Sequence, residues 1–134
     1  MAKKKIATFL GPNKGLSVVG NHAYAFSGIL EADNGGSGTD YLSFTTGNYY
    51  SVVSIQCYNT QNDSAIINWE FELNGTKIME YSQEGRVALP FHVPEGNKLI
   101  IPPHTAVIVR GVAAGGAGTE IDGAVTLTGR IYRE

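Results

Sequence analysis

The feature that most constrains this chain is its punctuation. Short apolar runs with a period of two are separated by clusters of Gly, Asn and Pro, and no window carries the i, i+3, i+4, i+7 spacing of an amphipathic helix. Residues 65–81 show the pattern at its clearest. Asn74-Gly75 sits between two alternating runs, and a two-residue type I′ turn needs positive φ at both central positions, which Asn and Gly tolerate best. That loop sets a register in which Leu73 faces Thr76, Glu72 faces Lys77 and Phe71 faces Ile78. On it, Trp69, Phe71, Leu73 and Ile78 share an apolar face. Glu72 and Lys77 form a cross-strand ion pair on the other face, worth about 0.2–1 kcal/mol.

The same reading places further strands along the chain. Residues 23–32 put Tyr24, Phe26 and Leu30 on one face, and residues 41–46 do so for Leu42 and Phe44. Residues 49–58 are rich in β-branched and aromatic side chains, with Val53, Ile55 and Cys57 together. Residues 86–93 are bounded by Pro90 and Pro94, and residues 98–101 are stopped by Pro102-Pro103. Residues 105–112 alternate Ala106, Ile108 and Arg110 against Val107, Val109 and Gly111. Residues 124–132 close the series, with Val125, Leu127 and Ile131 as apolar markers. About eight strands at this spacing, with glycine-rich loops at 33–39 and 113–123, imply an all-β antiparallel sandwich, with a single jelly roll preferred.

Length and charge refine this. A chain of 134 residues suits one domain and can bury a core without metal or disulfides. Lys3, Lys4, Lys5 and Lys14 all precede the first acidic residue, Glu31, and the rest of the chain holds six basic against twelve acidic side chains. Residues 1–20 therefore read as an extended basic arm and residues 21–134 as the sandwich domain. Such an arm can dock on an acidic surface, or can simply be a solvated terminus. Contact with nucleic acid is not expected beyond it. The apolar run after Lys5 is too short for a secretory core, and no apolar stretch is long enough for a membrane helix, so neither export nor membrane insertion is expected. A single cysteine, Cys57, on an alternating strand reads as a buried structural thiol made in a reducing cytoplasm.

Candidate chemistry is sparse. His22, His92 and His104 lack the close spacing of metal ligands. Residues 35–43 match the calcium nonapeptide pattern around Asp40 and residues 115–121 echo it with Glu120. The copies are far apart in sequence, however, and one turn cannot complete a coordination shell, so flexible loops are the expectation. No cofactor is expected. Glu70, Glu72 and Glu80 could imitate a paired-carboxylate hydrolase, but Glu70 and Glu72 on a hairpin surface read as solvated, with Glu80 across from Trp69. No nucleophile–base arrangement and no phosphate loop are present, so no enzymatic activity is expected. Tyr49 and Tyr50 form a candidate aromatic platform for a ligand, or equally for an oligomer interface.

Residues 98–107, with Ile101-Pro102-Pro103 leading into Thr105 and Val107, and the run Leu127-Thr128-Gly129-Arg130-Ile131-Tyr132 resemble the small β-sandwich structural proteins of tailed-phage virions, such as capsid decoration proteins. The resemblance covers about a third of the chain. It implies a non-enzymatic virion component, a decoration or minor capsid subunit made in the host cytoplasm. Such a subunit associates with itself, as a trimer by expectation, and with the major capsid protein or another virion protein. Under that reading Lys3, Lys4, Lys5 and Lys14 anchor the arm to the capsid. The alternative is a carbohydrate- or receptor-binding module of a tail or fibre, with Tyr49 and Tyr50 as its contact surface.

Overall fold

A computed structural model describes residues 13–32, 38–60, 65–85, 91–93, 98–114 and 121–133. Their regular structure is entirely β. The strands are β1 (Asn13–Val19), β2 (His22–Phe26), β3 (Leu30–Ala32), β4 (Thr39–Thr45), β5 (Tyr50–Asn59) and β6 (Ile66–Leu73). They continue with β7 (Thr76–Glu84), β8 (Phe91–Val93), β9 (Leu99–Ile101), β10 (Ala106–Ala113) and β11 (Ile121–Tyr132).

The pairing is that of one long hairpin rolled up. At its tip β6 pairs with β7 across Asn74-Gly75, whose φ values of 51° and 79° supply the expected left-handed turn. Moving outward from the tip, β5 pairs with β8 and β9, β4 with β10, and β2 and β3 with β11, all antiparallel. Successive pairs fall alternately in two sheets. The larger runs β1-β2-β11-β5, with β8 and β9 end to end along the far flank of β5 and β3 continuing the β2 side of β11. The smaller runs β4-β10-β6-β7. Nested pairs dealt alternately to two packed sheets are the topology of a jelly roll. Counting β2/β3 and β8/β9 as one strand each, the roll has the expected eight, and β1 is added at an edge.

The core lies between the sheets and is built by the alternating residues. Val53, Ile55 and Cys57 on β5, Val107 and Val109 on β10, and Val125, Leu127 and Ile131 on β11 are all buried, as their spacing requires. Trp69 is fully buried and meets Tyr41 edge-on, with ring centroids 4.9 Å apart. A polar bridge runs through this core. The Trp69 indole N–H donates to Gln83 Oε1 at 2.9 Å, and Gln83 Nε2 donates to the Cys57 carbonyl at 3.1 Å, which ties β7 of the small sheet to β5 of the large one. Both buried polar groups are thereby satisfied. Burial raises the Cys57 thiol pKa well above its ordinary value, as suits a structural thiol.

Several local expectations are corrected. The hairpin keeps Leu73 opposite Thr76 and Glu72 opposite Lys77, but a β-bulge then places Phe71 opposite Met79. Ile78 is the extra residue and is exposed rather than part of the apolar face. The shift also sets Glu80 opposite Glu70 and Tyr81 opposite Trp69. The expected strand at 23–32 breaks into β2 and β3, because residues 27–29 oppose only residues 124 and 125 of β11. There the Ser27 amide donates to the Val125 carbonyl at 3.0 Å and the Val125 amide to Ser27 Oγ at 2.8 Å, so the hydroxyl stands in for a missing ladder acceptor. β11 starts at Ile121, inside the segment expected to be loop. Residues 13–19, within the segment read as an arm, are hydrogen-bonded to β2 as an edge strand.

Candidate functional site

The two chain segments that carried the family resemblance meet at one end of the sandwich. Residues 102–105 connect β9 to β10 and lie against residues 46–49, which connect β4 to β5. Thr46 is the clasp between them. Its amide donates to the Thr105 carbonyl at 2.9 Å, its hydroxyl donates to the Pro102 carbonyl at 2.9 Å, and that hydroxyl accepts the Thr105 amide at 2.8 Å. The His104 amide adds a bond to the Gly47 carbonyl at 3.0 Å, with His104 in the left-handed region at φ 54°. Thr46 and Thr105 are buried, so these bonds work where water does not compete. Pro102-Pro103 thus does more than stop β9: it fixes a rigid wall.

The C-terminal motif supplies the other side. Gly129 lies opposite Val53 in the β5–β11 ladder. A β-carbon there would come within 2.6 Å of the Val53 α-carbon and closer still to the Val52 carbonyl, so only glycine lets the strands approach. With that register held, Tyr132 pairs with Tyr50 at the strand ends. Asn48, Tyr49, Tyr50, Pro103, Tyr132 and Arg133 then line a cavity of about 360 Å³. The Tyr49 ring packs on Gly47, where a β-carbon would stand 2.7 Å from its Cε2. Tyr50 and Tyr132 are 46% and 52% exposed, so their rings are available from solvent. The sequence placed Tyr49 and Tyr50 together. It did not signal Pro103, Tyr132 or Arg133 as their neighbours, because only the register of β5 on β11 unites them.

A second cluster lies on the outer face of the small sheet. Arg110 on β10 reaches Asp40 with Nε at 3.0 Å and Glu72 with Nη1 at 2.9 Å, and it lies 3.7 Å from Glu70. Lys77 lies 3.4 Å from Glu70 and 3.2 Å from Glu80. The expected Glu72–Lys77 pair is therefore replaced: β10 brings Arg110 between the carboxylates, and Glu72 turns to it. Glu70 and Glu72 are half-buried under these cations rather than freely solvated. Partial burial would lower the Arg110 pKa, but its hydrogen bonds to Asp40 and Glu72 outweigh this and raise it. Each carboxylate is committed to a cation, which makes the cluster a structural ion network joining β4, β10, β6 and β7.

Asp40, the residue that matched the calcium pattern, has its carboxylate on Arg110, while residues 33–37 and 115–120 lie outside the described residues. Among the described residues no three His, Cys, Asp or Glu side chains are grouped as metal ligands would be. His22 is exposed on β2 and His104 is exposed in the β9–β10 turn, and the side chain of His92 lies outside the described set. Lys3, Lys4 and Lys5 also lie outside the described residues, and Lys14 falls on β1. Compared with known proteins, the chain matches no family model and no curated sequence.

Proposed function

We propose that this chain is a non-enzymatic structural subunit of a virion, a capsid decoration or minor capsid protein that associates with itself and binds the shell. The observation that carries the reading is a jelly roll whose charge is divided between its parts. Asp40, Glu70, Glu72, Glu80 and Glu84 outnumber Arg110 and Lys77 on the small sheet, while the segment that leads into the edge strand β1 contains Lys3, Lys4 and Lys5. Jelly rolls serve viral shells and lectins alike. The resemblance at residues 98–107 and 127–132 favours the shell. In this mechanism the ion-paired sandwich is the rigid body, and the basic leader reaches an acidic surface on a neighbouring copy or on the shell. Its attraction acts over about 8–10 Å at physiological salt and weakens as salt rises.

Sedimentation velocity and binding to shells that lack the protein test this together. The expected result is a closed oligomer, a trimer, that decorates the shells. Replacing Lys3, Lys4 and Lys5 by Glu should abolish shell binding without changing the folded spectrum. A chain that stays monomeric and leaves such shells bare contradicts the proposal.

A further inference from the structure

The geometry points to the cavity beside Tyr50 and Tyr132 as a binding site for a saccharide bearing a carboxylate, of the uronic or sialic acid class. Its volume of about 360 Å³ lies within the range of about 300–1,000 Å³ used for small-molecule sites. The lining suits a sugar on both counts that matter. Tyr49, Tyr50, Tyr132 and Pro103 offer flat apolar surfaces, against which the C–H face of a pyranose stacks. The Asn48 amide, the tyrosine hydroxyls and the Arg133 guanidinium offer the mixed donors and acceptors that a rim of ring hydroxyls needs.

Arg133 selects the acid. A guanidinium grips a carboxylate through two parallel N–H bonds, and no carboxylate among the described residues pairs with it. Arg130, two residues before Tyr132 on β11 and so on the same face of the strand, is exposed and adds a second positive charge to that face. A phosphate would satisfy the guanidinium but leave three tyrosine faces unused. The Thr46 clasp ties the 46–49 and 102–105 walls together before a ligand arrives, so the ordering cost of binding falls on the exposed side chains rather than on the backbone of these walls. This inference goes beyond the virion reading and does not depend on it.

The test is calorimetric titration of the full chain with methyl glucuronide, N-acetylneuraminic acid, methyl glucoside and a proline-rich peptide. The same titrations are run on Arg133→Gln and Tyr50→Ala. The acidic sugars should bind in preference to the glucoside. Arg133→Gln should weaken them by about 10- to 100-fold, the loss of a charge-assisted pair, and weaken the glucoside response far less, so that the preference for the acid is lost. Tyr50→Ala should remove both responses, while circular dichroism and oligomeric state stay as in the parent chain. Equal affinity for acidic and neutral sugars, or an unaffected Arg133→Gln, overturns the inference. So does binding of the peptide alone, and so does loss of self-association rather than of sugar binding in Tyr50→Ala, which would make the cavity a protein interface. Shell binding is scored separately, so a chain that binds no sugar but decorates shells refutes only this inference.

Discussion

Replacing Thr46 by valine removes one hydroxyl at nearly constant shape, and so isolates the clasp beneath the aromatic cavity. Two bonds are lost, one accepted from the Thr105 amide at 2.8 Å and one donated to the Pro102 carbonyl at 2.9 Å. The first leaves a buried N–H without its side-chain acceptor, which costs about 1–3 kcal/mol. The second costs about 0.5–1.5 kcal/mol, at the lower end because Pro102 is exposed and its carbonyl can recruit water. The expected destabilisation is therefore about 1.5–3.5 kcal/mol, or about 6–14 °C in melting temperature for a domain of this size. Urea denaturation followed by circular dichroism measures it. Thr46→Ser keeps the hydroxyl and loses one methyl, and should cost only about 1 kcal/mol. A Thr46→Val variant within about 0.5 kcal/mol of the parent, the ordinary scatter of neutral substitutions, or an equally damaging Thr46→Ser, contradicts a stabilising role for the clasp.

Gly129→Ala should cost at least about 3 kcal/mol or prevent folding, because the new methyl meets the backbone of Val52 and Val53 rather than a movable side chain. Soluble yield and thermal melting report it. Ser51→Ala should be neutral or stabilising by up to about 1 kcal/mol in chemical denaturation, since among the described residues the buried Ser51 hydroxyl has no hydrogen-bond partner. Stability should also fall in alkali. Burial holds the Cys57 thiol neutral, and burial, helped by the charge of Asp122, pushes the Tyr41 phenol well above its ordinary range. Both folded pKa values are raised, so the stabilisation is complete below the unfolded values and declines above them. The slope should be about 1.4 kcal/mol per pH unit above about pH 9 and about twice that above about pH 10. Tyr41→Phe should remove the second increment, and an unchanged slope in that variant would contradict the assignment.

What was legible in the sequence follows from the range over which each signal acts. Asn74-Gly75 is a local signal, and it placed the hairpin tip at the turn the structure shows. Strict alternation separated the two faces of β5 and β10, because a buried face forces a period of two, and the structure turns the Val53 and Val107 faces inward. The Phe71/Glu72 bulge has no residue signature of its own, so the register beyond it, and with it the exposure of Ile78, could not be read. Glu72 was matched to the cation directly across its hairpin, yet the cation it meets comes from β10, a strand far along the chain. The same limit applies to the cavity. Tyr49 and Tyr50 stood out as neighbours, but Pro103 and Tyr132 reach them only through pairings of β5 with β9 and β11. Gln83 carries no local signal at all. An isolated Gln on an exposed-looking strand gives no hint that its amide joins Trp69 to the Cys57 carbonyl.

Quantitative mass spectrometry of purified virus particles tests the proposed virion role most directly. A shell subunit should be present in every preparation, at a fixed ratio to the major shell protein and in multiples that match its own oligomer. Particles that are complete and infectious without it, while the chain is abundant in the infected cell, would contradict the proposed role.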